Sequence, residues 1–245
     1  MNFNNKTALI TGAAVGIGRA VAHKLAQNGA KVILVDVNFE KLQTVKRELE
    51  QYTNSVLIYE CDITDEEKVN EIVSESKKAF GSIDILINNA AVWRSFKTFT
   101  EISSEEWKQF LDINIMGVVN FTKAVLPVMM EKRYGRIINV SSVAGVYGIA
   151  NMVHYSATKG AVISMTKALA KEVTEKGITV NAVSPGTVSD SSNPDMDSYM
   201  ENDMSYIGRT GTNNENADLI CFLSSDEAGY ISGQNIQIDG CRRKI

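Results

Sequence analysis

Tyr155 and Lys159 stand four residues apart in a stretch, roughly 154 to 175, whose apolar spacing predicts a helix. Residues at that separation share a helix face, so the ammonium can stabilise a phenolate whose ordinary pKa of about 10 is too high for a base at neutral pH. Each unit of lowering is worth roughly 1.4 kcal/mol. A phenol so placed can give or take the hydroxyl proton of an alcohol while hydride moves at its carbon. Such pairs are common on helices, so this one gains meaning only beside a hydride carrier.

A site for the carrier lies near the start of the chain. The first predicted strand runs into Thr11-Gly12-Ala13-Ala14-Val15-Gly16-Ile17-Gly18 and then into a helix, placing three glycines where backbone turns tightly and approaches a phosphate at a helix N-terminus. The spacing Gly-xxx-Gly-x-Gly differs from Gly-x-Gly-x-x-Gly, and a purely structural turn is the competing reading of the glycines alone. Asp36 closes the second strand 18 residues after Gly18, where a carboxylate accepts hydrogen bonds from the ribose hydroxyls of an adenosine and repels a 2′-phosphate. Neither Ala14-Val15 nor Val37-Asn38 offers the Arg or Lys a 2′-phosphate requires, so the cofactor expected is NAD rather than NADP. Asp62, at the end of the third strand, is equivalently placed for the adenine, or else caps the next helix. No metal is called for. Cys61, Cys221 and Cys241 have no CxxC spacing and read as buried or incidental thiols, and His23 and His154 are given no ligand role.

These groups need a scaffold, and the pattern supplies one. Seven short runs rich in β-branched residues (7–10, 31–35, 55–59, 83–87, 136–140, 178–183 and 235–238) alternate with helical patterns at 17–28, 39–51, 65–79, 104–131, 154–175 and 214–224, with Thr64 and Ser103 among the expected caps. Near-continuous apolar strands belong to a parallel sheet covered on both faces, and the βα rhythm implies right-handed crossovers in a doubly wound α/β fold. No linker or repeat divides residues 1–245, so one domain is expected. Segment 187–212, rich in Ser, Asn and Asp, breaks the rhythm after Pro185-Gly186 and reads as a lid over the substrate. The composition agrees, with 245 residues, 44% hydrophobic, 22% charged and a net charge of -4 that leaves no basic footprint for nucleic acid. No apolar stretch is read as long enough to span a membrane, and no leader is read at the start, so a cytoplasmic protein is expected.

The chain resembles the short-chain dehydrogenase/reductase family over nearly its whole length. The resemblance is carried by Thr11-Gly12-xxx-Gly16-Ile17-Gly18, Asn88-Asn89-Ala90, Asn114, Ser141-Ser142, Tyr155-xxx-Lys159 and Pro185-Gly186. It implies a single-domain Rossmann fold in which Tyr155 is general acid/base, Lys159 lowers its pKa and holds the nicotinamide ribose, Ser142 holds the substrate oxygen and Asn114 relays protons through water. It places Gly12, Val15, Gly16, Ile17, Gly18, Asp36, Asp62, Ile63, Asn89, Pro185, Gly186 and Val188 against the cofactor. A homotetramer built through helices 104–131 and 154–175 is also implied. Three positions depart from the family pattern: Ala91 for a Gly, Asp190 for a Thr that bonds the carboxamide, and Gly240-Cys241 for Gly-Gly ahead of Arg242-Arg243-Lys244.

For the substrate, Met196, Met200 and Met204 recur every four residues, so a helical lid would carry one adaptable apolar stripe, unless they merely anchor it. Trp93, Phe96, Val143, Tyr147, Met152 and Val188 are candidates for the same pocket. The reading favoured on this ground is a hydrophobic cyclic alcohol or ketone such as a hydroxysteroid. The alternative is a 3-oxoacyl carrier-protein or CoA thioester, a job of relatives that generally use NADPH. Asp190, Asp195, Asp197, Glu201 and Asp203 form an acidic stretch that would repel an anionic carrier, although Lys132-Arg133 and Lys176 stand where such relatives keep basic contacts. A silent relative that only senses NAD is the remaining class, disfavoured because all four catalytic positions are intact.

Overall fold

The computed structural model describes residues 1–189 and 192–243. Its strands are β1 (Thr7–Thr11), β2 (Lys31–Asp36), β3 (Val56–Glu60), β4 (Ile85–Asn88), β5 (Gly135–Val140), β6 (Ile178–Pro185) and β7 (Asn235–Ile238). All pair in parallel, in the order β3-β2-β1-β4-β5-β6-β7. The expected doubly wound fold is therefore present, within a residue or two at each strand end.

The helices are α1 (Gly16–Gln27), α2 (Phe39–Leu49), α3 (Glu66–Phe80), α4 (Ser104–Leu111), α5 (Gly117–Lys132), the short α6 (Ala144–Tyr147), α7 (Val153–Val173) and α8 (Asn213–Ser224). Strand side chains alternate between two cores. Ala8, Ile10, Val32 and Leu34 pack with α1, α2 and α8, whereas Leu9, Ile33 and Val35 face α3, α5 and α7. Since both faces are covered, every β1 residue is apolar or small and buried, and a period of two reads in the sequence as an unbroken run.

Helix starts follow side-chain capping. Ser103 accepts from Glu106 N as expected, but α3 is capped by Asp65, which accepts from Lys68 N, and not by Thr64. Thr64 is instead held by Asp62. α4 and α5 are joined through a π-helical turn, Asp112–Met116, which puts the extra residue of a bulge where Asn114 enters the interior. The joined run Ser104–Lys132 corrects one expectation, because an 18-residue window in it has mean hydropathy 1.5 and is long enough to cross a membrane by length and composition. One face of it packs into the interior, with Phe110, Val118, Phe121, Val125 and Met129 buried, while Leu111, Met116 and Met130 stay exposed.

The described part of segment 187–212 contains no helix, so the methionine stripe does not form. Single bridges hold it instead: Val188 with Gly211, Glu201 with Arg209, and Ser205 with Arg242. Its chain is pinned at both flanks. Arg19 donates to the Pro194 carbonyl at 3.2 Å, and Arg209 forms a two-pronged pair with Glu215, which also closes the capping box of α8 with Thr212.

Candidate active site

β1 and β4 are neighbours whose connections leave in opposite directions, and at such a switch point a crevice opens beyond the carboxyl ends of the strands. A cleft of about 860 Å³ occupies this place. One end is lined by Gly12, Val15, Gly16, Ile17, Asp36, Asp62 and Ile63, the other by Ser142, Tyr155 and Lys159, with Asn89, Pro185, Gly186 and Val188 between.

The glycine turn is built for close approach. Gly12 and Gly16 adopt φ of +63° and +58°, a region that excludes most side chains. A Cβ at Gly12 would lie 2.8 Å from the Asn89 Nδ2 and 2.9 Å from the Ala90 Cα. That same Asn89 amide donates to the carbonyls of Thr11 and Gly12 at 3.0 Å, while the Thr11 hydroxyl accepts from the amides of Asn89 and Ala90. Thr11 thus stitches the ends of β1 and β4 together. Gly18 corrects its assignment as a cofactor contact: it does not line the cleft, and a Cβ there would fall 2.1 Å from the Gly12 carbonyl oxygen. Its service is to let α1 pack on the turn. Gly18→Ala is expected to destabilise the protein by about 3 kcal/mol, the upper end for overpacking because the clash is with backbone, read as a lowered urea midpoint.

Asp36 reaches the turn as well. Its carboxylate accepts from Ala14 N at 3.1 Å and Asn38 N at 3.0 Å, which fixes the negative charge at the cleft rim. Asp62 keeps one oxygen on Thr64 and lines the cleft, so it is not the cap of α3.

At the other end, α7 carries Tyr155 and Lys159 against β5 and α6. A Cβ at Gly145 would lie 2.5 Å from the carbonyl carbon of Lys159, so glycine there lets α6 close on α7. The buried Lys159 ammonium donates to the Val140 carbonyl at 2.7 Å, and burial lowers its pKa to about 8. The Nζ is 5.8 Å from the centre of the Tyr155 ring. Burial raises the Tyr155 phenol above its ordinary value, and the Ser142 hydroxyl opposes this. The lowering expected from Lys159 is not found in this structure, where the ammonium is committed to a carbonyl. Ser142 also accepts from Ala144 N at 3.1 Å, which orients its hydroxyl.

Asn114 is fully buried and does not line the cleft. Its carboxamide donates to the Val92 carbonyl and the Thr158 hydroxyl and accepts from Val92 N, so its side chain positions Val92 at the cleft wall. Trp93, Phe96, Val143, Met152, Val188 and Met200 all line the cleft. Met196 does not: it packs on the core, which is the anchoring alternative. Tyr147 is a further correction, half exposed with its hydroxyl on Gln237. His154 lies buried against Phe110, with ring centres 3.9 Å apart, and near Glu106. His23 is tied to Glu48. Cys61 and Cys221 are buried thiols raised to about 11 and about 12 by burial, whereas Cys241 is exposed. Among the described residues no group of three or more His, Cys, Asp or Glu could hold a metal ion.

A family model described as short chain dehydrogenase matches residues 6–200. The chain belongs to the short-chain dehydrogenase/reductase family. As such it is an oxidoreductase acting on CH–OH and keto groups with a pyridine nucleotide. It is 40% identical over 243 residues to a 3-oxoacyl-[acyl-carrier-protein] reductase of Thermotoga maritima, with 98% of each chain covered. The same-named protein of Escherichia coli is 37% identical over 247 residues, again with 98% of each covered. Among solved structures it is similar to NAD+-bound xylitol dehydrogenase, with a TM-score of 0.91, 31% identity and coverage of 98% of this chain and 100% of that one. Levodione reductase follows at a TM-score of 0.89 and 32% identity, with 98% of each covered.

Two of the departures from the family pattern have a local reading. Ala91 lines the cleft without positive φ, so its methyl is carried unstrained. Cys241 takes φ +57°, a conformation that costs a non-glycine residue roughly 1 to 2 kcal/mol, and is held there as its carbonyl accepts from Tyr206 N. Asp190 lies outside the described residues. Arg94, Arg242 and Ile149 also line the cleft and have no signal in the sequence motifs.

Proposed function

We propose that this family member is an NAD(H)-dependent reductase of 3-oxoacyl thioesters. The observation that carries the reading is one continuous cleft with the Asp36 carboxylate at one end and Ser142, Tyr155 and Lys159 at the other. The glycine turn, where a Cβ would meet the Asn89 amide, fits a dinucleotide phosphate lying on backbone, and Asp36 fits a ribose with free hydroxyls. When bound, the dinucleotide supplies or accepts the hydride. Ser142 and Tyr155 donate hydrogen bonds to the substrate carbonyl oxygen, and the Tyr155 proton passes to that oxygen as the carbonyl becomes an alcohol. Lys159 holds a positive charge in the interior beside the phenol.

The thioester is favoured over a hydroxysteroid on two grounds. The curated relatives at 37 and 40% identity carry the 3-oxoacyl-[acyl-carrier-protein] reductase name. Of the acidic stretch that argued against it, none of Asp195, Asp197, Glu201 and Asp203 lines the cleft, and Asp190 lies outside the described residues. Lys132 and Arg133 do not act at the cleft mouth within one chain either, because Lys132 pairs with Asp84 and Arg133 donates to the Glu175 carbonyl, at the amino ends of the strands. A hydrophobic cyclic alcohol or ketone is the second reading, supported by the apolar wall of Trp93, Phe96, Met152 and Met200. NADH oxidation with acetoacetyl thioesters and with a panel of cyclic ketones separates the two. Turnover confined to the cyclic ketones overturns the first.

NADH is expected to be preferred over NADPH, and Asp36→Asn, which keeps the shape of the side chain, is expected to relax that preference by about tenfold through loss of charge repulsion. Equal affinity of the wild type for the two nucleotides defeats the reading of Asp36. A homotetramer is part of the proposal, with exposed Leu111, Met116 and Met130 on the α4–α5 run available for subunit contact, and light scattering measures it.

A further inference from the structure

We infer that Arg94 and Arg242 form an anion-binding subsite at the substrate end of the cleft, which takes a phosphate or carboxylate carried by the substrate. The inference rests on the reading of that end as the substrate site. Both arginines line the cleft, yet neither has a carboxylate partner among the described residues. Other arginines have structural tasks: Arg19 is paired with Glu48, Arg136 with Asp226 and Arg209 with Glu215. Among the described residues the carboxylates lining the cleft are Asp36 and Asp62, which belong to the glycine-turn end and have oxygens committed to nearby backbone. Asp239 shares a small adjoining pocket with Arg242 and makes no ion pair with it. Among the described residues, the charged side chains that line the substrate end are therefore all cations, the buried Lys159 and the two arginines.

Each arginine is held in place by its surroundings. The Arg94 guanidinium lies 5.1 Å from the Trp93 ring centre, and Trp93 meets Phe96 edge-on at 6.5 Å, so an aromatic wall carries a cation along its rim. Arg242 is fixed through its main chain: it bridges to Ser205, while the next amide, Arg243 N, donates to the Met204 carbonyl at 2.9 Å. It therefore comes to the cleft with the lid. Planar forks match phosphate and carboxylate oxygens in pairs, and a cation beside apolar walls attracts an anion more strongly than one in open water. The arrangement suits an amphipathic substrate, with its chain against the aromatic wall and its anionic group on the arginines.

The test compares substrates that differ by a single anionic group. Acetoacetyl-4′-phosphopantetheine is set against acetoacetyl-pantetheine, and acetoacetate against its methyl ester, so that the two sources of an oxyanion are read separately. In at least one pair the wild type is expected to favour the anionic member in kcat/KM by about tenfold or more at low salt, with the ratio shrinking as ionic strength rises. In the Arg94→Gln/Arg242→Gln double variant that ratio collapses toward one. A wild-type ratio near one in both pairs overturns the inference, as does a ratio unchanged in the double variant. So does a variant whose defect is confined to NADH affinity, which would assign the arginines to the cofactor. Should the variant not fold, inhibition of the wild type decides: 4′-phosphopantetheine must inhibit better than pantetheine, or acetoacetate better than its methyl ester, in a salt-sensitive way, and equal inhibition within both pairs defeats the idea. The same inhibition assay is run on cyclic-ketone turnover if neither thioester is reduced, so failure of the thioester reading and failure of the subsite are told apart.

Discussion

Tyr155→Phe is expected to lower turnover by about 10²- to 10⁴-fold while NADH still binds. The substitution keeps the ring in its place on α7 and removes only the hydroxyl, so packing against α6 and β5 is retained and the proton donor is lost. The pH profile carries a second expectation. Burial holds the phenol above its ordinary pKa of about 10, so at neutral pH the group is protonated and ready to donate, and ketone reduction needs no prior ionisation. Alcohol oxidation needs the phenolate, whose fraction rises with pH, so kcat/KM for oxidation should climb about tenfold per pH unit well below the apparent pKa. In the phenylalanine variant that climb should disappear. A variant that loses turnover but keeps the slope assigns the titration to another group, and one that keeps turnover removes Tyr155 from the chemistry. Loss of turnover with NADH binding intact also separates an enzyme from a protein that merely senses NAD.

What could be read in advance depended on how local its cause was. β1 and β2 were legible because a strand buried on both faces has one solution, apolar side chains throughout, and Ala8, Leu9 and Ile10 go to alternate cores without changing that pattern. The glycine turn was legible for a similar reason, since a Cβ at Gly12 or Gly18 meets backbone that no rearrangement nearby can move. Gly18 also shows the limit: its spacing marks the turn, but only the fold reveals that it faces Gly12 and not the ligand. Segment 187–212 was the least legible part. Its methionines have helical spacing, but its course is set by partners distant in sequence, such as Arg19 holding the Pro194 carbonyl across 175 positions. Asn114 was legible only as a residue type. The π turn that brings its carboxamide to Val92 is a property of the backbone that no residue type announces. Arg94 had no motif at all, because a cation beside an aromatic ring reads like any surface arginine until the cleft has walls.

Lys159→Met is expected to cost turnover at least about 10²-fold and at the same time to make the protein more stable. The lysine is buried, and burial brings its pKa from the ordinary 10.5 to about 8, which corresponds to roughly 3 kcal/mol spent on holding the ammonium in the interior. Methionine of similar length removes that penalty but leaves the Val140 carbonyl without its donor, a loss of about 1 to 3 kcal/mol. The balance favours the variant by about 1 kcal/mol, or a few degrees in Tm for a chain of this size. The sign of the pH dependence provides the stricter check. Between about pH 8 and 10.5 the unfolded lysine binds a proton that the folded one has released, so wild-type stability contributed by this group rises with pH across that window. Below it both states are protonated and the full penalty is present. Lys159→Met should therefore gain most below pH 8, and its advantage should fade as pH approaches 10.5. A variant less stable at neutral pH, with an unchanged slope in the alkaline range, would show that the ammonium is stabilised by its surroundings and not penalised by them. The expected result instead has a functional meaning: a methionine would suit the fold better here, and the lysine is retained at a cost in stability for the charge it places beside Tyr155.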